Sequence, residues 1–426
     1  MNERGETMAS ESRVRWKLIW WLFVLSAVAY LDRVNISIAG RFLAAEYQLS
    51  NQQLGWVFSA FVLGYALFQV PSGRAADRFG ARWTLTVAAI WWGVFSALTA
   101  APWALAAALP LLLVARFLLG AGEAVMYPAS NRIVAQWIPV QERGKANGLI
   151  FMGVGVGAGI SPPLITGVML QYGWRASFIA CALIGTIAGA MWWHIARDTP
   201  DAHPGVSSEE RERIRAGLPP GLAAPALTWR QIRGNGNVWL LTVSYFCYGY
   251  SAYVFFSWFF IYLSTVRGMQ LKESALFAML PFIAMAIGSM VGGVLNDRVT
   301  RVHGRRAGRC GVAFFGIALA AVFIATGTLV DSARIASVIL AGGAGSLYLA
   351  QSSFWSVSAD IAGPSSGAVS GLMNMGAQLG GVVTASLTPW IADRFGWSAS
   401  FQTAALLCVI GALAWALVRP DEQIAP

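Results

Sequence analysis

Long apolar stretches alternate with short polar segments along almost the whole chain. A helix of about 20 apolar residues is long enough to cross the hydrocarbon core of a bilayer, and twelve windows meet this requirement. They are residues 17–39, 54–72, 83–103, 105–126, 146–169, 175–196, 237–262, 274–295, 309–330, 335–359, 367–391 and 398–418. The pattern predicts an all-α membrane protein with twelve transmembrane helices.

The longest polar stretch divides the predicted helices into two groups of six. Residues 197–236 contain several prolines and a charge run at residues 209–213, which together are typical of a linker. We therefore predict an amino-terminal six-helix bundle over residues 1–196, a cytoplasmic linker, and a carboxy-terminal six-helix bundle over residues 237–426.

The two predicted bundles carry related sequences. Residues 148–153 return in altered form as residues 371–376, an offset of 223. At an offset of 220, Gly73, Asp77 and Arg78 return as Gly293, Asp297 and Arg298. Repeats that recur after an even number of helices have the same orientation in the membrane, and transporters built this way bind their substrate between the repeats. The sequence thus predicts two pseudo-symmetric bundles with a cleft between them.

The composition supports a membrane location, and the positions of the basic residues predict the orientation. Hydrophobic residues make up 57% of the 426 residues, and charged residues only 12%. With the amino terminus inside, six of the 30 Lys and Arg fall in outer loops, two in spans and the remaining 22 in cytoplasmic segments. We expect a multi-pass protein of a bacterial-type inner (plasma) membrane with both termini cytoplasmic. The net charge of +10 then reflects contact with anionic lipid, and nucleic acid is a poor alternative.

Four ionisable residues lie deep inside predicted spans. Asp32 and Arg33 fall in the first span, and Arg116 and Glu123 fall in the fourth. Charges inside a membrane are costly and usually line a transport pathway. Arg116 and Glu123 are two helical turns apart and so share a face, roughly 10 Å apart along the axis. We predict a polar site between the first and fourth helices; a charge-balanced packing cluster is the alternative.

The chemistry of these four residues suits an anion and a proton. Arginine binds carboxylates through a planar fork and stays charged, whereas a buried carboxylic acid can gain or lose a proton as its surroundings change. Arg33 and Arg116 are therefore expected to bind an anion, and Asp32 and Glu123 to carry a coupling proton. The four charges sum to zero when ionised, so an entering monoanion is balanced by one proton.

Further residues are candidates for gating and for contact with the body of a substrate. Asp77 and Asp297 are expected to pair with an arginine or a helix N-terminus across the seam between the bundles, and so to act as a conformational latch with Gly73, Arg78 and Arg298. A simple basic cytoplasmic loop is the alternative. The second bundle has Ile339 and Ser346 where the 223-residue offset would place counterparts of Arg116 and Glu123. It offers polar groups instead, among them Gln351 and Ser352, which are expected to contact the substrate.

Three motifs, at residues 30–37, 64–73 and 116–123, resemble the anion:cation symporter family of the major facilitator superfamily. The general resemblance to the superfamily covers essentially the whole chain. This branch includes bacterial galactonate, glucarate, hexuronate and phthalate carriers, with sialin and the vesicular glutamate transporters as animal relatives. The resemblance implies the major facilitator fold and proton-coupled import of an organic carboxylate.

The resemblance also implies roles for single residues. It assigns the substrate carboxylate to Arg33 and Arg116, the coupling proton to Asp32 and Glu123, and the lining of the substrate pocket to Tyr65 and Asn374. Carriers of sugar acids in this family often have a glutamine in the fifth helix where this sequence has Val154. A sugar acid such as a hexonate, hexarate or hexuronate is the favoured substrate, with an aromatic or short aliphatic carboxylate as the alternative.

Other functions fit the sequence less well. A proton-coupled exporter of hydrophobic compounds is favoured by the aromatic content but disfavoured by two buried arginines, and a transporter-like sensor has no additional signalling domain to support it. An intramembrane enzyme is not expected, because the spans contain no recognised catalytic motif. We expect no cofactor and no metal, and a monomer suffices for this architecture.

Overall fold

The computed structural model describes residues 12–49, 51–218, 227–259 and 262–424. Residues 1–11, which precede the first predicted span, and residues 219–226 of the predicted linker lie outside the described residues. Within the described ranges the regular structure is helical. The α-helices are α1 (Val14–Glu46), α2 (Asn51–Phe79), α3 (Ala81–Thr99), α4 (Leu105–Glu123), α5 (Met126–Trp137), α6 (Arg143–Tyr172), α7 (Trp174–Ile195), α8 (Ser208–Gly217), α9 (Trp229–Gly234), α10 (Gly236–Ser257), α11 (Leu271–Ala278), α12 (Leu280–Arg305), α13 (Val312–Gly327), α14 (Ala333–Ala362) and α15 (Ser366–Leu417).

Seven helical stretches among the described residues are long and apolar enough to cross a membrane. Two of them, Leu276–Gly327 and Ala333–Thr384, each contain 52 residues. At about 1.5 Å per residue, such a stretch is more than twice as long as the hydrocarbon core is thick. The protein is therefore a multi-pass helical membrane protein, and the count of twelve crossings stays a prediction.

The sequence repeat is matched in the backbone by four glycines with positive φ. Gly80 separates α2 from α3 with φ 84°, and Gly304 breaks α12 with φ 83°. Gly173 separates α6 from α7 with φ 82°, and Gly396 breaks α15 with φ 85°. Residues other than glycine rarely adopt a positive φ angle. The same residue type thus turns the chain sharply at corresponding points of the two repeats.

The two bundles approach each other along two seams, α2 against α15 and α6 against α12. A Cβ atom on Gly73 would lie 2.1 Å from the carbonyl oxygen of Gly367, and one on Gly293 would lie 2.3 Å from that of Gly144. These glycines therefore allow the backbones to touch, as small residues do between membrane helices. The two contacts are related by the sequence repeat.

Part of the predicted linker forms α8, which is attached to the start of α1. The buried Glu210 carboxylate accepts hydrogen bonds from the amides of Val14 at 3.0 Å and Arg15 at 3.1 Å. It thereby satisfies amides at the N-terminus of α1, where a helix favours negative charge. We call the side of the molecule that carries α8, α9 and the turn at Gly80 the linker end.

Candidate functional site

Asp32, Arg33, Arg116 and Glu123, here called the charged cluster, come together between α1 and α4. All four lie within the bundle, and Arg116 and Glu123 are each only 1% exposed. The Nε atom of Arg33 donates a hydrogen bond to Oε2 of Glu123 at 2.8 Å. Asp32 accepts a hydrogen bond from Ser96 on α3 at 2.7 Å. The structure therefore groups the charged residues that the sequence places in two separate spans.

Aromatic rings surround the two arginines. The guanidinium carbon of Arg33 lies 4.1 Å from the centre of the Tyr65 ring and 4.8 Å from that of Tyr30. The centre of the Phe61 ring lies 5.3 Å from the guanidinium carbon of Arg33 and 4.9 Å from that of Arg116. Aromatic faces attract cations, and more strongly where water is excluded. The rings thus help to keep the guanidinium groups charged inside the bundle.

The charged cluster is incompletely hydrogen-bonded. Six buried atoms have no hydrogen-bond partner among the described residues: Oδ2 of Asp32, Nη2 of Arg33, the Tyr65 hydroxyl, Nε and Nη1 of Arg116, and Oε1 of Glu123. Buried polar groups are normally paired, so a concentration of unpaired ones needs an explanation. Three of the six are arginine donors, which suit an anion, and two are carboxylate oxygens, which suit a proton.

A cavity of about 40 Å³ lies between the bundles beside this cluster. Tyr30 and Tyr65 belong to its wall, and their rings also lie against the Arg33 guanidinium group. The remaining wall is mostly aromatic or amide-bearing: Tyr127, Phe151, Val154, Tyr245, Tyr248, Gly249, Ala252, Tyr253, Phe256, Tyr348, Gln351, Asn374, Ala377 and Gln378. In this arrangement none of the four charged residues lines the cavity itself.

The polar residues predicted in the second bundle differ in their positions. Gln351 lines the cavity, donates to the Tyr245 hydroxyl at 2.7 Å and leaves its Oε1 without a partner. Asn374 also lines the cavity, but its amide donates across the seam to Gln69 at 2.9 Å. Ser352 does not belong to the cavity wall; its hydroxyl lies 3.3 Å from where a Cβ on Gly148 would be. Ser352 therefore lies at the seam between α14 and α6.

The carboxylates predicted to form a latch contact helix N-termini of the opposite bundle. Asp77 on α2 accepts from the amides of Gly367 at 3.1 Å and Ala368 at 2.8 Å, at the start of α15. Asp297 on α12 accepts from the amides of Gly144 at 2.7 Å and Lys145 at 2.5 Å, at the start of α6. The two junctions correspond through the sequence repeat.

The arginines of these junctions are not those next to the aspartates in sequence. Asp77 pairs with Arg132 at 3.2 Å, and Asp297 pairs with Arg309 at 3.1 Å. Arg78 is exposed and lies 5.3 Å from the Phe79 ring, and Arg298 is exposed at a larger cavity. Successive residues on a helix point in different directions, so Arg78 and Arg298 face away from the acids beside them.

A second group of buried charges at the linker end is not anticipated by the sequence analysis. Arg143 on α6 donates to Asp360 on α14 at 2.5 Å, and Arg309 donates to the same carboxylate at 3.3 Å. The side chains of all three residues are fully buried. We call them the closed-end network. The sequence pattern gave little indication of this network, because Arg143 and Asp360 lie just outside predicted spans, Arg309 is the first residue of one, and none has a charged counterpart in the repeat.

The comparisons with known proteins agree with this architecture. A family model described as Major Facilitator Superfamily matches residues 22–383 and 356–426. The chain is 34% identical to the probable sulfoacetate transporter of Cupriavidus necator over 97% of this chain and 96% of that one. It is 30% identical to the hexuronate transporter of Bacillus subtilis over 95% of this chain and 94% of that one.

Among solved structures, the chain resembles the proton:xylose symporter XylE bound to 6-bromo-6-deoxy-D-glucose, with a TM-score of 0.75. The match covers 96% of this chain and 97% of that one, at 14% sequence identity, and therefore indicates the fold alone. These fold and family matches are to membrane transporters and not to enzymes. The chain belongs to the major facilitator superfamily, and its relatives are consistent with the anion:cation symporter family.

Proposed function

We propose that this protein is a proton-coupled symporter that imports an organic carboxylate anion by alternating access. The observation that carries the proposal is the ion pair between Arg33 and Glu123, which leaves further donors of Arg33 and Arg116 without partners. An arginine that binds the protein's own carboxylate can exchange it for the carboxylate of a substrate. The proposal therefore assigns substrate binding to the two arginines.

Protonation explains how this exchange couples transport to a proton gradient. A proton on Glu123 removes the charge that holds Arg33, so the guanidinium group becomes free for an incoming anion. The Asp32 and Glu123 side chains interact with each other, and each has one oxygen without a donor. A proton held between them would satisfy both oxygens. Proton and anion then favour each other's binding, because a coupling free energy acts on both ligands equally.

Alternating access requires that the linker end open and close. We assign the latch to Asp77 and Asp297, whose contacts with helix N-termini hold the bundles together at this end. Gly73 and Gly293 allow the close approach. The cross-bundle bond between Gln69 and Asn374 is part of the same closure, so Asn374 becomes available to a substrate only when that bond breaks.

A sugar acid is our first candidate for the substrate. The Tyr65 and Tyr248 hydroxyls and Oε1 of Gln351 have no partner within the described residues, and all three residues line the cavity. Such groups suit the hydroxyls of a hexonate, hexarate or hexuronate. A relative that is 30% identical carries the name hexuronate transporter.

A short aliphatic or aromatic carboxylate is the second candidate. Val154 lines the cavity and offers no hydrogen bond, and the volume of about 40 Å³ is small. The relative named as a probable sulfoacetate transporter, at 34% identity, also points to a short anion. The two candidates differ in size and in the number of hydroxyl groups.

Uptake into proteoliposomes tests the proposal. Labelled glucuronate and labelled acetate derivatives, including sulfoacetate, would be offered with and without an inward proton gradient. We expect one of these anions to accumulate only with the gradient, and an excess of the unlabelled transported anion to block its uptake. Accumulation of a neutral sugar or a cation, or uptake of every tested anion at the same level without the gradient, would contradict the proposal.

We further propose that the protein lies in a bacterial-type inner membrane and that a single chain carries out transport. The excess of basic residues at the linker end favours a cytoplasmic position for that end and for both termini in a bacterial-type inner membrane. The bundles over residues 1–196 and 237–426 are proposed to rock against each other around the central site. One chain supplies both bundles, so a monomer suffices.

A further inference from the structure

A second cavity, of about 1060 Å³, lies at the linker end between α1 and α6 on one side and α12 on the other. Its volume is slightly above the roughly 300–1,000 Å³ that small-molecule sites occupy. Its wall shares no residue with that of the small central cavity. Of the residues in its wall, the proposed transport cycle uses only the latch residue Asp297.

This linker-end cavity is strongly basic. Seven basic and two acidic side chains line it, which gives a formal charge of +5. The two acids are already engaged: Glu142 pairs with Arg15 and Arg213, and Asp297 accepts from two amides of α6 and from Arg309. The two acids in the wall offset only part of its positive charge, and Glu210, outside the wall, pairs with Arg15.

The free charges lie on both sides of the cavity. Lys17 on α1 belongs to the amino-terminal bundle, and Arg298 and Arg301 on α12 belong to the carboxy-terminal one. All three side chains are exposed and make no ion pair with a described residue. An anion bound between them would contact both bundles at once.

Apart from Gln141, the rest of the cavity wall is apolar, and part of it is exposed. Trp16, Met152 and Met290 contribute apolar side chains, and Trp20 and Val294 are 53% and 42% exposed. Tryptophan is enriched where a membrane protein meets the lipid headgroups. A soluble anion needs no such wall, whereas the acyl chains of a lipid do.

We propose that the linker-end cavity binds an anionic phospholipid. The basic side chains hold the phosphate group, and the apolar wall holds the upper part of the acyl chains. Basic pockets between transmembrane helices on the cytoplasmic side bind anionic headgroups in this way. Because the walls belong to different bundles, the bound lipid also stabilises the arrangement in which the linker end is closed.

Native mass spectrometry of the purified full-length chain in a neutral detergent tests this site. The protein would be titrated with phosphatidylglycerol, with phosphatidylcholine of the same acyl chains, and with soluble glycerol phosphate as a competitor. We expect phosphatidylglycerol to bind at least about tenfold more tightly than phosphatidylcholine, given an attraction of about fivefold per basic side chain. Glycerol phosphate should not displace it.

A double variant localises the binding to this cavity. Lys17→Gln with Arg301→Gln removes one charge from each side and should weaken phosphatidylglycerol binding by about 25-fold. The matched control, Arg230→Gln with Arg233→Gln, removes two charges from α9, also at the linker end but outside the cavity wall, and should change binding less than about twofold. Gel filtration would confirm that both variants are folded.

Three results would overturn the proposal. Equal binding of the two lipids would show that the positive charge does not matter, and displacement by glycerol phosphate would show a site for soluble anions. Equal effects of the double variant and its control would place the lipid elsewhere. None of these results depends on transport, so the lipid site and the proposed function fail independently.

Discussion

The charged cluster and the closed-end network each bury two arginines with carboxylates, but they differ in how many hydrogen bonds are made. Arg143 donates to Asp360 and to the carbonyl oxygens of Ala135 and Ile138. Arg116, in contrast, leaves Nε and Nη1 without a partner among the described residues. Fully bonded buried charges form rigid junctions, whereas unmade bonds are costly and need a functional reason. The closed-end network is therefore a structural junction, whereas the unmade hydrogen bonds of the charged cluster indicate a binding site.

The two groups also differ in which bundles they join. The charged cluster lies within the amino-terminal bundle, between α1 and α4, whereas Arg143 and Asp360 belong to opposite bundles. A site within one bundle can keep its geometry while the bundles rock. A network across both must break when the linker end opens.

The largest expected effect is the loss of proton-driven accumulation when an acid of the charged cluster is replaced. Glu123→Gln or Asp32→Asn leaves a side chain that cannot carry the coupling proton, so gradient-driven uptake in proteoliposomes should fall to background. Exchange of substrate without a gradient should persist. Accumulation at the parent level in both variants would refute the assignment.

Glu46→Gln is the matched control for this prediction. Glu46 also pairs with an arginine, Arg175 at 2.5 Å, but its side chain is 41% exposed. Hydrogen bonds from Arg175 hold the pKa of the Glu46 carboxyl below its usual range, so this acid stays ionised near neutral pH. The control variant should therefore accumulate substrate like the parent.

The second prediction concerns the stability that the closed-end network provides. Asp360→Asn leaves two buried arginines without their shared carboxylate and should destabilise the protein by about 3–5 kcal/mol. Denaturation followed in detergent would measure the change. Asp201→Asn is the control, because Asp201 also bridges two arginines, Arg211 and Arg215, but is 57% exposed. Loss of the exposed Asp201 carboxylate should lower the free energy of unfolding by at most about 1 kcal/mol. Equal effects of Asp360→Asn and Asp201→Asn would contradict a stabilising role for the closed-end network.

The third prediction concerns the shape of the guanidinium group. Arg33→Lys keeps the positive charge but removes the planar fork, so substrate binding should weaken by about 2–3 kcal/mol, close to one hydrogen bond to a charged group. Calorimetry would measure the affinity. Arg394→Lys is the control, since Arg394 stacks on Trp390 at 4.3 Å but is exposed. An unchanged substrate affinity in Arg33→Lys would show that Arg33 does not bind the substrate through its guanidinium fork.

The smallest expected effect belongs to the junctions at helix N-termini. Asp77→Asn and Asp297→Asn should each weaken the closed linker end by about 1 kcal/mol, the usual value of such a cap. Accessibility of a single cysteine placed beside the seam would report the change. Asp198→Asn is the control, because Asp198 accepts from the Arg82 amide within the same bundle. A shift in the control as large as that in Asp77→Asn would argue against a latch.

The sequence predicted those features that rest on strong local patterns or on the repeat. The superfamily and the helical membrane fold were confirmed, and the charges of the first and fourth spans proved to be neighbours. The repeat at offsets of 220 and 223 anticipated the paired glycine junctions, because equivalent helices must approach each other equally closely in both seams. The functional roles of these residues stay predictions.

Features that depend on side-chain direction were not predictable in the same way. The sequence identified Asp77 and Asp297 and grouped Arg78 and Arg298 with them in the latch, whereas Arg132 and Arg309 make the contacts. Ser352 follows Gln351 directly and therefore points to a different side of α14. Which face of a helix meets which neighbour depends on the packing of the whole bundle.

The dependence of substrate binding on pH tests the central claim most directly. Calorimetry with the transported carboxylate from pH 5 to 8 would compare the parent with the double variant Asp32→Asn and Glu123→Gln. If a proton and an anion bind together, the affinity of the parent rises as the pH falls, and that of the double variant stays constant. A parent affinity that is constant across this range would contradict the account.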